Sequence, residues 1–304
     1  MTGQHWSGDC DINAPVEFTF NWHEQPAAFE RLIPPWEPVQ LARREGSIHN
    51  GDVTELLVGH WPLQLRWVAR HENYRPPHEF VDVQTSGPFA SWRHSHQFSP
   101  GKQPQPADSA VQAQCRLTDS IEYRLPLGWL GQLAGRRMVQ RKLDRMFRWR
   151  HHITRHDVAA LWRAAADAKA KEKATMRILI SGASGLVGSD LVSYLKGGGH
   201  ELVALSRSSS TNGMQTITWD PASGQLDTEA VSGFDAVVHL AGEGIASGRW
   251  NEARKRRIRD SRVNGTRLLS NALAACSAPP KVMVCASAIG YYGDRGNETL
   301  TENS

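Results

Sequence analysis

Gly182, Gly185 and Gly188 stand three apart in SGASGLVG, between the apolar run RILIS and the amphipathic stretch SDLVSYLKGGG. A strand, a glycine-spaced turn and a helix in that order make an anion cradle. The glycines permit a tight turn and close backbone approach, and the free N–H groups of the helix start face the bound charge. In that context the spacing points to the pyrophosphate of a dinucleotide. The end of the next strand chooses between cofactors, because an acidic residue there would bond the 2′-hydroxyl of NAD. This chain has Ser206, Arg207 and Ser208 at that place. A guanidinium beside hydroxyls suits a 2′-phosphate, so NADP is expected ahead of NAD; the plainer alternative leaves Arg207 a solvated turn residue.

Two other groupings invite a chemical reading. His151, His152 and His156 would set two imidazoles four apart on a helix, a spacing that can seat a metal. No acidic or thiol partner at ligand spacing accompanies them, so they are expected to be surface or helix-end histidines, and no metal is expected. Arg136, Arg137, Arg141, Lys142, Arg145, Arg148 and Arg150 form a basic cluster with no interleaved aromatic platform, which reads as a solvated helix face rather than a nucleic-acid or lipid contact. Cys10, Cys115, Cys276 and Cys285 show no metal-ligand spacing and are too sparse for a disulfide framework.

Elements must position these residues, and the chain has room for two sets of them. Its 304 residues, 40% hydrophobic, exceed one ordinary core. Net charge is only +4, with 22 basic against 19 acidic residues up to position 175 and 13 against 12 beyond it. That balance carries no polyanion signal, so no nucleic-acid partner is expected. There is no signal-like start and no long apolar stretch, so neither export nor a membrane span is expected and the cytoplasm is the expected compartment.

Residues 1–11 read as a polar tail. Val16, Phe18, Phe20 and Trp22 alternate with polar residues, as in a half-buried strand, and HEQPAAFERLIPPWEP supplies a short helix stopped by Pro34 and Pro35. Strand-like runs follow near 38–45, 52–59, 62–72, 79–86, 89–98 and 110–124. Val139, Leu143, Met146 and Phe147 then repeat at helical spacing in a long closing helix. This order is that of an α+β helix-grip domain over residues 12–165. The charged, small-residue stretch ADAKAKEKAT, 166–175, reads as a linker. From 176 to 304 strands and helices alternate, as an α/β Rossmann-type parallel sheet requires, with strands near 177–181, 201–206, 216–219, 235–240 and 281–286.

PPWEPV, HWPLQLRWVARH, PHEFVDVQTSGPFASWRHSHQF and LTDSIEYRLPLG are very similar to the START-like, polyketide-cyclase-related (SRPBCC) domain found fused ahead of certain sugar-nucleotide-epimerase-like proteins. That resemblance implies a curved sheet around an apolar cavity and an apolar or amphipathic small-molecule ligand, for which Trp61, Trp67, Phe80, Phe89 and Trp92 offer surface; a plain docking domain is the alternative. HLAGE, ITWDP, GRWNEARKRRIRDSRVNGT and SAIGYYGDRGNETLTE resemble the atypical, epimerase-like extended short-chain dehydrogenase/reductases. The resemblance implies that Gly182, Ser184, Gly185, Leu186, Val187 and Gly188 hold pyrophosphate and that Ser206 and Arg207 hold the adenosine ribose. It places Asp220 near adenine and Leu240, Ala241 and Gly242 along the cofactor, with Ser287 facing the nicotinamide as the candidate catalytic residue.

The chain departs from that family at three places. Ser181 replaces a threonine, and Arg262 stands where relatives have the asparagine of NVxGT. No YxxxK proton-transfer pair occurs: Tyr291 is followed by Arg295 and Tyr292 by Gly296, so both tyrosines are expected to pack. The expectation is an NADP-dependent oxidoreductase or epimerase-like protein acting on a hydroxyl or carbonyl compound, a sugar nucleotide among the candidates. A module that senses NADP(H) and ligand without turnover is the alternative. The parallel-sheet domain is expected to be incomplete, wanting a sixth strand and the family's substrate-binding region, and the 304-residue chain is expected to be inactive.

Overall fold

The computed structural model describes residues 3–101, 114–126, 128–169, 175–209, 214–246 and 248–304. The chain forms two compact units, the main division falling between Ala174 and Thr175. No helix among the described residues is long and apolar enough to cross a membrane.

Among the described residues, the first unit is an antiparallel sheet of seven strands with three helices. The strands are β1 (Gln4–Ile12), β2 (Val39–Glu45), β3 (Val53–Val58), β4 (Leu65–Arg75), β5 (Glu79–Ser86), β6 (Ser91–Pro100) and β7 (Cys115–Arg124). They lie in the order β1-β7-β6-β5-β4-β3-β2. Helices α1 (Val16–Glu24) and α2 (Ala28–Arg31) follow β1, and α3 (Gly128–Lys169) closes the unit.

Two expectations at the start of the chain are corrected. Of the expected polar tail at 1–11, residues 4–11 are strand instead, because Gln4–Ile12 pairs with β7 from Gln4↔Tyr123 to Ile12↔Cys115, while residues 1–2 lie outside the described residues. Its polar residues alternate outward while Trp6, Cys10 and Ile12 face inward, Cys10 and Ile12 fully buried. Trp6 also donates from Nε1 to Asp144 on α3 at 2.8 Å. The run Val16–Trp22 is helix α1 rather than a strand. Its buried set includes Thr19, Phe20 and His23. That is helical spacing, disguised because two of its members are polar types. Both polar groups are satisfied inside the helix, Thr19 Oγ1 donating to Pro15 O at 3.0 Å and His23 Nδ1 meeting Thr19 O at 2.8 Å.

Helix α3 grips the sheet through the expected face. Leu143 and Phe147 are buried with Trp92, Ile121, Tyr123 and Leu125, and Val139 and Met146 pack at the edge of that cluster. Burying a side chain such as Phe147 stabilises by about 1.5–3 kcal/mol. The opposite, basic face is only partly solvated. Arg145 stacks over Trp36, Lys142 pairs with Glu37 at 2.8 Å, and Arg150 donates to Leu32 O at 3.2 Å, its pKa lowered by burial. Arg31 on α2 makes a two-point ion pair with Asp157 on α3, at 2.7 and 3.1 Å.

Among the aromatic residues expected to offer ligand surface, Trp67, Phe89 and Trp92 gather, with ring centroids 4.9 to 5.5 Å apart. Phe80 instead stacks on His96 at 4.1 Å, and Trp61 is 85% exposed beyond β3.

The interior also carries a polar heart, built by strand register. His71 lies opposite Asp82, Asp82 opposite His94, and His96 opposite Asp119. Asp119 Oδ1 accepts from His94 Nε2 at 2.9 Å and lies 2.7 Å from His96 Nδ1, while Oδ2 accepts from His151 Nε2 at 2.7 Å. His151 is thus tied to an acid remote in sequence, which corrects its reading as a surface histidine. His152 and His156 are exposed as expected, their rings 4.3 Å apart.

The second unit is a parallel sheet. Its strands are β8 (Arg177–Ser181), β9 (Glu201–Ser206), β10 (Gln215–Thr218), β11 (Ala236–His239) and β12 (Val282–Cys285), with helices α4 (Leu186–Gly197) and α5 (Glu252–Ala275). The order is β10-β9-β8-β11-β12, every pair parallel. Near-continuous apolar strands fit a sheet covered on both faces. One face carries Leu179, Val203, Leu205 and Val237 against Leu269 and Leu273 of α5, the other Ile178, Ile180 and Ala204 against Val192 of α4.

Candidate functional site

The strand order reverses between β8 and β11, because the chain runs outward from β8 through β9 to β10 and returns on the other side of β8. A doubly wound sheet opens its ligand crevice at that reversal, beyond the carboxyl ends of the strands. Three segments meet there: the glycine turn after β8, residues 240–244 after β11, and the stretch after β12.

The glycine turn is shaped by contact as well as by conformation. Gly182 has φ +75°, and a Cβ on it would lie 2.8 Å from Leu240 C and 2.9 Å from Ala241 N. Leu240 and Ala241 therefore run against the turn. A Cβ on Gly188 would lie 2.1 Å from Gly182 O, so α4 starts packed onto the turn itself. Gly185 N donates to Gly182 O at 3.0 Å, and Ser189 N to Gly185 O at 2.9 Å. Ser184 and Gly185 are exposed, and Leu186 and Val187 are 92% and 64% exposed at the first turn of α4. The helix start thus presents backbone N–H groups to the crevice with no side chain across them, a geometry suited to an anion.

Ser206 ends β9, its carbonyl accepting from Trp219 N at 3.1 Å and its hydroxyl from Ser208 N at 3.2 Å. Arg207 follows, exposed. Asp220 is taken up locally. It accepts from Ser223 Oγ at 2.6 Å and Ala222 N at 2.9 Å. Its pKa is lowered by the Ser223 bond first, with a smaller attraction from Arg207. Arg207 and Asp220 therefore share one rim of the crevice. Gly242 lies on the opposite side of the reversal, where a Cβ would come 3.2 Å from Arg262 Cζ.

That last contact explains Arg262. Its Nη1 donates to Glu243 O and Ile258 O, both at 3.1 Å, so the guanidinium braces the loop after β11. Arg254 does the same from about two turns earlier, donating to Gly244 O at 2.7 Å. A second device beneath the crevice escaped sequence reasoning. Ser181 Oγ lies 2.6 Å from His239 Nδ1, and His239 Nε2 lies 3.1 Å from Thr266 Oγ1. Ala241 N donates to the Ser181 hydroxyl at 3.3 Å, and a neutral imidazole can bond both hydroxyls, donating through one ring nitrogen and accepting at the other. Burial lowers the His239 pKa, consistent with this neutral ring. The chain of bonds ties β8, β11 and α5 together. Its signal was the polar residue ending each of two adjacent buried strands.

Ser287 lies past the end of β12, exposed, beside Ala286, whose N–H donates to His239 O at 3.1 Å. Tyr291 and Tyr292 sit in a short 3-10 turn with ring centroids 5.4 Å apart, Tyr291 82% exposed. Arg295 is engaged with Glu298 through two bonds of 2.7 and 2.8 Å.

Residues 178–304 match the NAD dependent epimerase/dehydratase family, and residues 12–150 match the polyketide cyclase / dehydrase and lipid transport family. An epimerase family protein of Mycobacterium leprae is 38% identical over 136 residues, 45% of this chain and 43% of its own. Its counterpart in Mycobacterium bovis is 39% identical over 126 residues, 41% of either chain. Among solved structures, a nucleoside-diphosphate sugar epimerase from Corynebacterium glutamicum matches with TM-score 0.69 and 31% identity, covering 99% of this chain and 58% of that one. The chain therefore spans about two fifths of the length of these curated relatives. Its parallel-sheet unit, of Rossmann type, is thus similar to the NAD dependent epimerase/dehydratase family, and the START-like unit before it is similar to the polyketide cyclase / dehydrase and lipid transport family.

Proposed function

We propose that the second unit binds NADP(H) in the crevice between β8 and β11 and serves an oxidoreductase or epimerase-like reaction at a hydroxyl or carbonyl carbon. The observation that supports this most is the cradle of Gly182 and Gly188 at the strand-order reversal, with the start of α4 bare of side-chain cover. Gly182, Ser184, Gly185, Leu186, Val187 and Gly188 would hold the pyrophosphate, and Ser206 and Arg207 the adenosine ribose with its 2′-phosphate. Asp220 would border adenine, and Leu240, Ala241 and Gly242 would flank the cofactor toward Ser287, beside the nicotinamide. The cofactor supplies the hydride chemistry; these residues bind and orient it. The name of the Corynebacterium relative makes sugar nucleotides the first substrates to test.

Calorimetric titration of the chain with NADPH and NADH is the direct test. NADPH should bind more tightly, and Arg207→Glu should erase or reverse the preference. A charge-assisted phosphate contact contributes about 1.5–3 kcal/mol, roughly tenfold to a hundredfold in affinity. Equal affinities in the parent protein would sink the assignment of Arg207.

The engagement of Arg295 with Glu298 favours a second reading, in which the cofactor is sensed rather than consumed. NADPH binding without oxidation of NADPH across a panel of carbonyl compounds and sugar nucleotides would select it; turnover dependent on Ser287 would select the first.

For the START-like unit we propose an apolar or amphipathic small-molecule ligand, received at the aromatic group of Trp67, Phe89 and Trp92. Native mass spectrometry of the chain against lipids, isoprenoids and aromatic acids should find a one-to-one complex that Trp67→Ala weakens. A docking role predicts no such complex.

A further inference from the structure

The polar heart of the first unit has more ligating atoms than its own hydrogen bonds use well. Asp82 Oδ2 lies 3.4 Å from His96 Nε2 and 3.6 Å from His94 Nδ1. One ligand atom from each of the three residues falls within 4.8 Å of the others. Bonds of about 2.0–2.1 Å to a tetrahedral metal would hold such atoms about 3.4 Å apart. Both nitrogen–oxygen edges are already close to that length, and the nitrogen–nitrogen edge is no longer than 4.8 Å. His94 and His96 are two apart on β6, so strand geometry alone puts both rings on the inner face, and Asp82 reaches them from β5.

Two further observations point the same way. The first concerns the other ring nitrogens. Asp119 Oδ1 accepts from His94 Nε2 at 2.9 Å and sits 2.7 Å from His96 Nδ1. His94 therefore keeps its proton on the side of Asp119 and turns Nδ1 toward Asp82, the arrangement in which an outer carboxylate orients a histidine ligand. His96 Nε2 instead donates to Asp82 Oδ2 at 3.4 Å and would give up that proton to a metal. The second concerns alignment. His71 Nδ1 lies 2.7 Å from Asp82 Oδ1, yet His71 Nδ1, Asp82 Oδ1 and His96 Nδ1 are buried atoms without a properly directed hydrogen bond. Groups this close and this poorly aligned are arranged around something other than one another. Electrostatics agrees, since Asp82 and Asp119 bring two carboxylates into one interior, and a dication would balance them.

We propose that Asp82, His94 and His96 form a binding site for a divalent first-row transition metal, with Asp119 as the residue that positions both imidazoles. Two nitrogens and one oxygen, with no thiolate, suit zinc, iron, cobalt or manganese rather than a soft cuprous ion. Three protein ligands leave a position for water or for an oxygen-donor ligand.

The test uses the 304-residue chain stripped with chelator and titrated with Zn2+ by calorimetry and with Co2+ by visible absorption. One equivalent should bind. Asp82→Asn, which keeps side-chain volume, and His94→Ala and His96→Ala should each weaken binding at least 100-fold. Asp119→Asn should weaken it tenfold to a hundredfold while one equivalent still binds, since it removes an orienting group and no ligand. His152→Ala with His156→Ala should change nothing, although that exposed pair is the rival site. X-ray absorption at the metal edge should count two imidazoles, which decides the matter even where an alanine variant unfolds. No uptake by the stripped parent, uptake that survives His94→Ala and His96→Ala, or a shell without two imidazoles would overturn the proposal.

Discussion

An alanine at position 188 is expected to abolish dinucleotide binding by the second unit. The added Cβ would stand 2.1 Å from Gly182 O, 2.9 Å from Gly182 C and 3.0 Å from Ala183 Cα, and all three are main-chain atoms. Neither side can give way cheaply. The turn is backed by Leu240 and Ala241, and α4 is anchored by Val192 in the core beneath it. Overpacking of this kind costs about 1–3 kcal/mol in stability. The larger effect is on the crevice, because the turn and the start of α4 are the two surfaces that would face the pyrophosphate. A loss of at least 100-fold in NADPH affinity is the expected reading by fluorescence titration, with a fall in melting temperature beside it. Gly224→Ala is the control. Gly224 has φ +73° with no atom within 4 Å of a Cβ, so it carries only the left-handed backbone strain of about 1–2 kcal/mol and should leave affinity unchanged. A Gly188→Ala protein that binds NADPH within threefold of the parent would remove the cradle from the assignment.

The second unit was legible because its signals are local. A buried parallel strand is an unbroken apolar run, so RILIS and ELVALS announced β8 and β9 to the residue, and the glycine spacing fell where a strand must turn into a helix. What stayed hidden were contacts between segments far apart in sequence. Arg262 looked like the loss of a family asparagine until its guanidinium was seen to brace Glu243 O. Ser181 looked like a mild replacement, yet its hydroxyl opens the chain of bonds through His239 to Thr266.

The first unit was harder to read at its start because pattern and polarity disagree there. QHWSGDCDI alternates, but its inward positions hold a glutamine, a tryptophan, a glycine and a cysteine before Ile12, so the apolar half of the pattern is weak. In α1 the buried positions include a threonine and a histidine, and the alternate positions happen to be aromatic. A period of two therefore outscored the true period near four. The polar heart had a signal that could have been used: HSH within a strand must place both imidazoles on one face. Their acids could not be assigned from sequence, since Asp82 and Asp119 arrive by register from two different neighbouring strands.

Register also fixes the second large effect, the replacement of Asp119 by alanine. Asp119 is 2% exposed and touches three histidines from two elements, His94 and His96 on β6 and His151 on α3. Burial opposes its charge, but His96, His151 and His94 together hold its pKa well below the usual carboxylate range. The dependence runs both ways. Burial alone would lower the pKa of His96, whereas attraction to Asp119 and then Asp82 raises it to about 9. Alanine at 119 would leave a buried imidazolium short of one partner, unfasten α3 from β7 at His151 and open a cavity between them. Breaking a buried charge pair from one side costs about 3–5 kcal/mol. For a domain of this size that corresponds to a fall of roughly 10–20 °C in the melting temperature of the first unit. The measurement belongs on chelator-treated protein, so that any contribution from a bound metal is absent from both parent and variant. Asp119→Asn should fall between the two. It preserves volume and one acceptor oxygen, but turns an N–H2 donor toward rings that need acceptors there. A shift below about 2 °C for Asp119→Ala would mean that the three histidines find other partners, and that the interior of this unit is held by its apolar cluster alone.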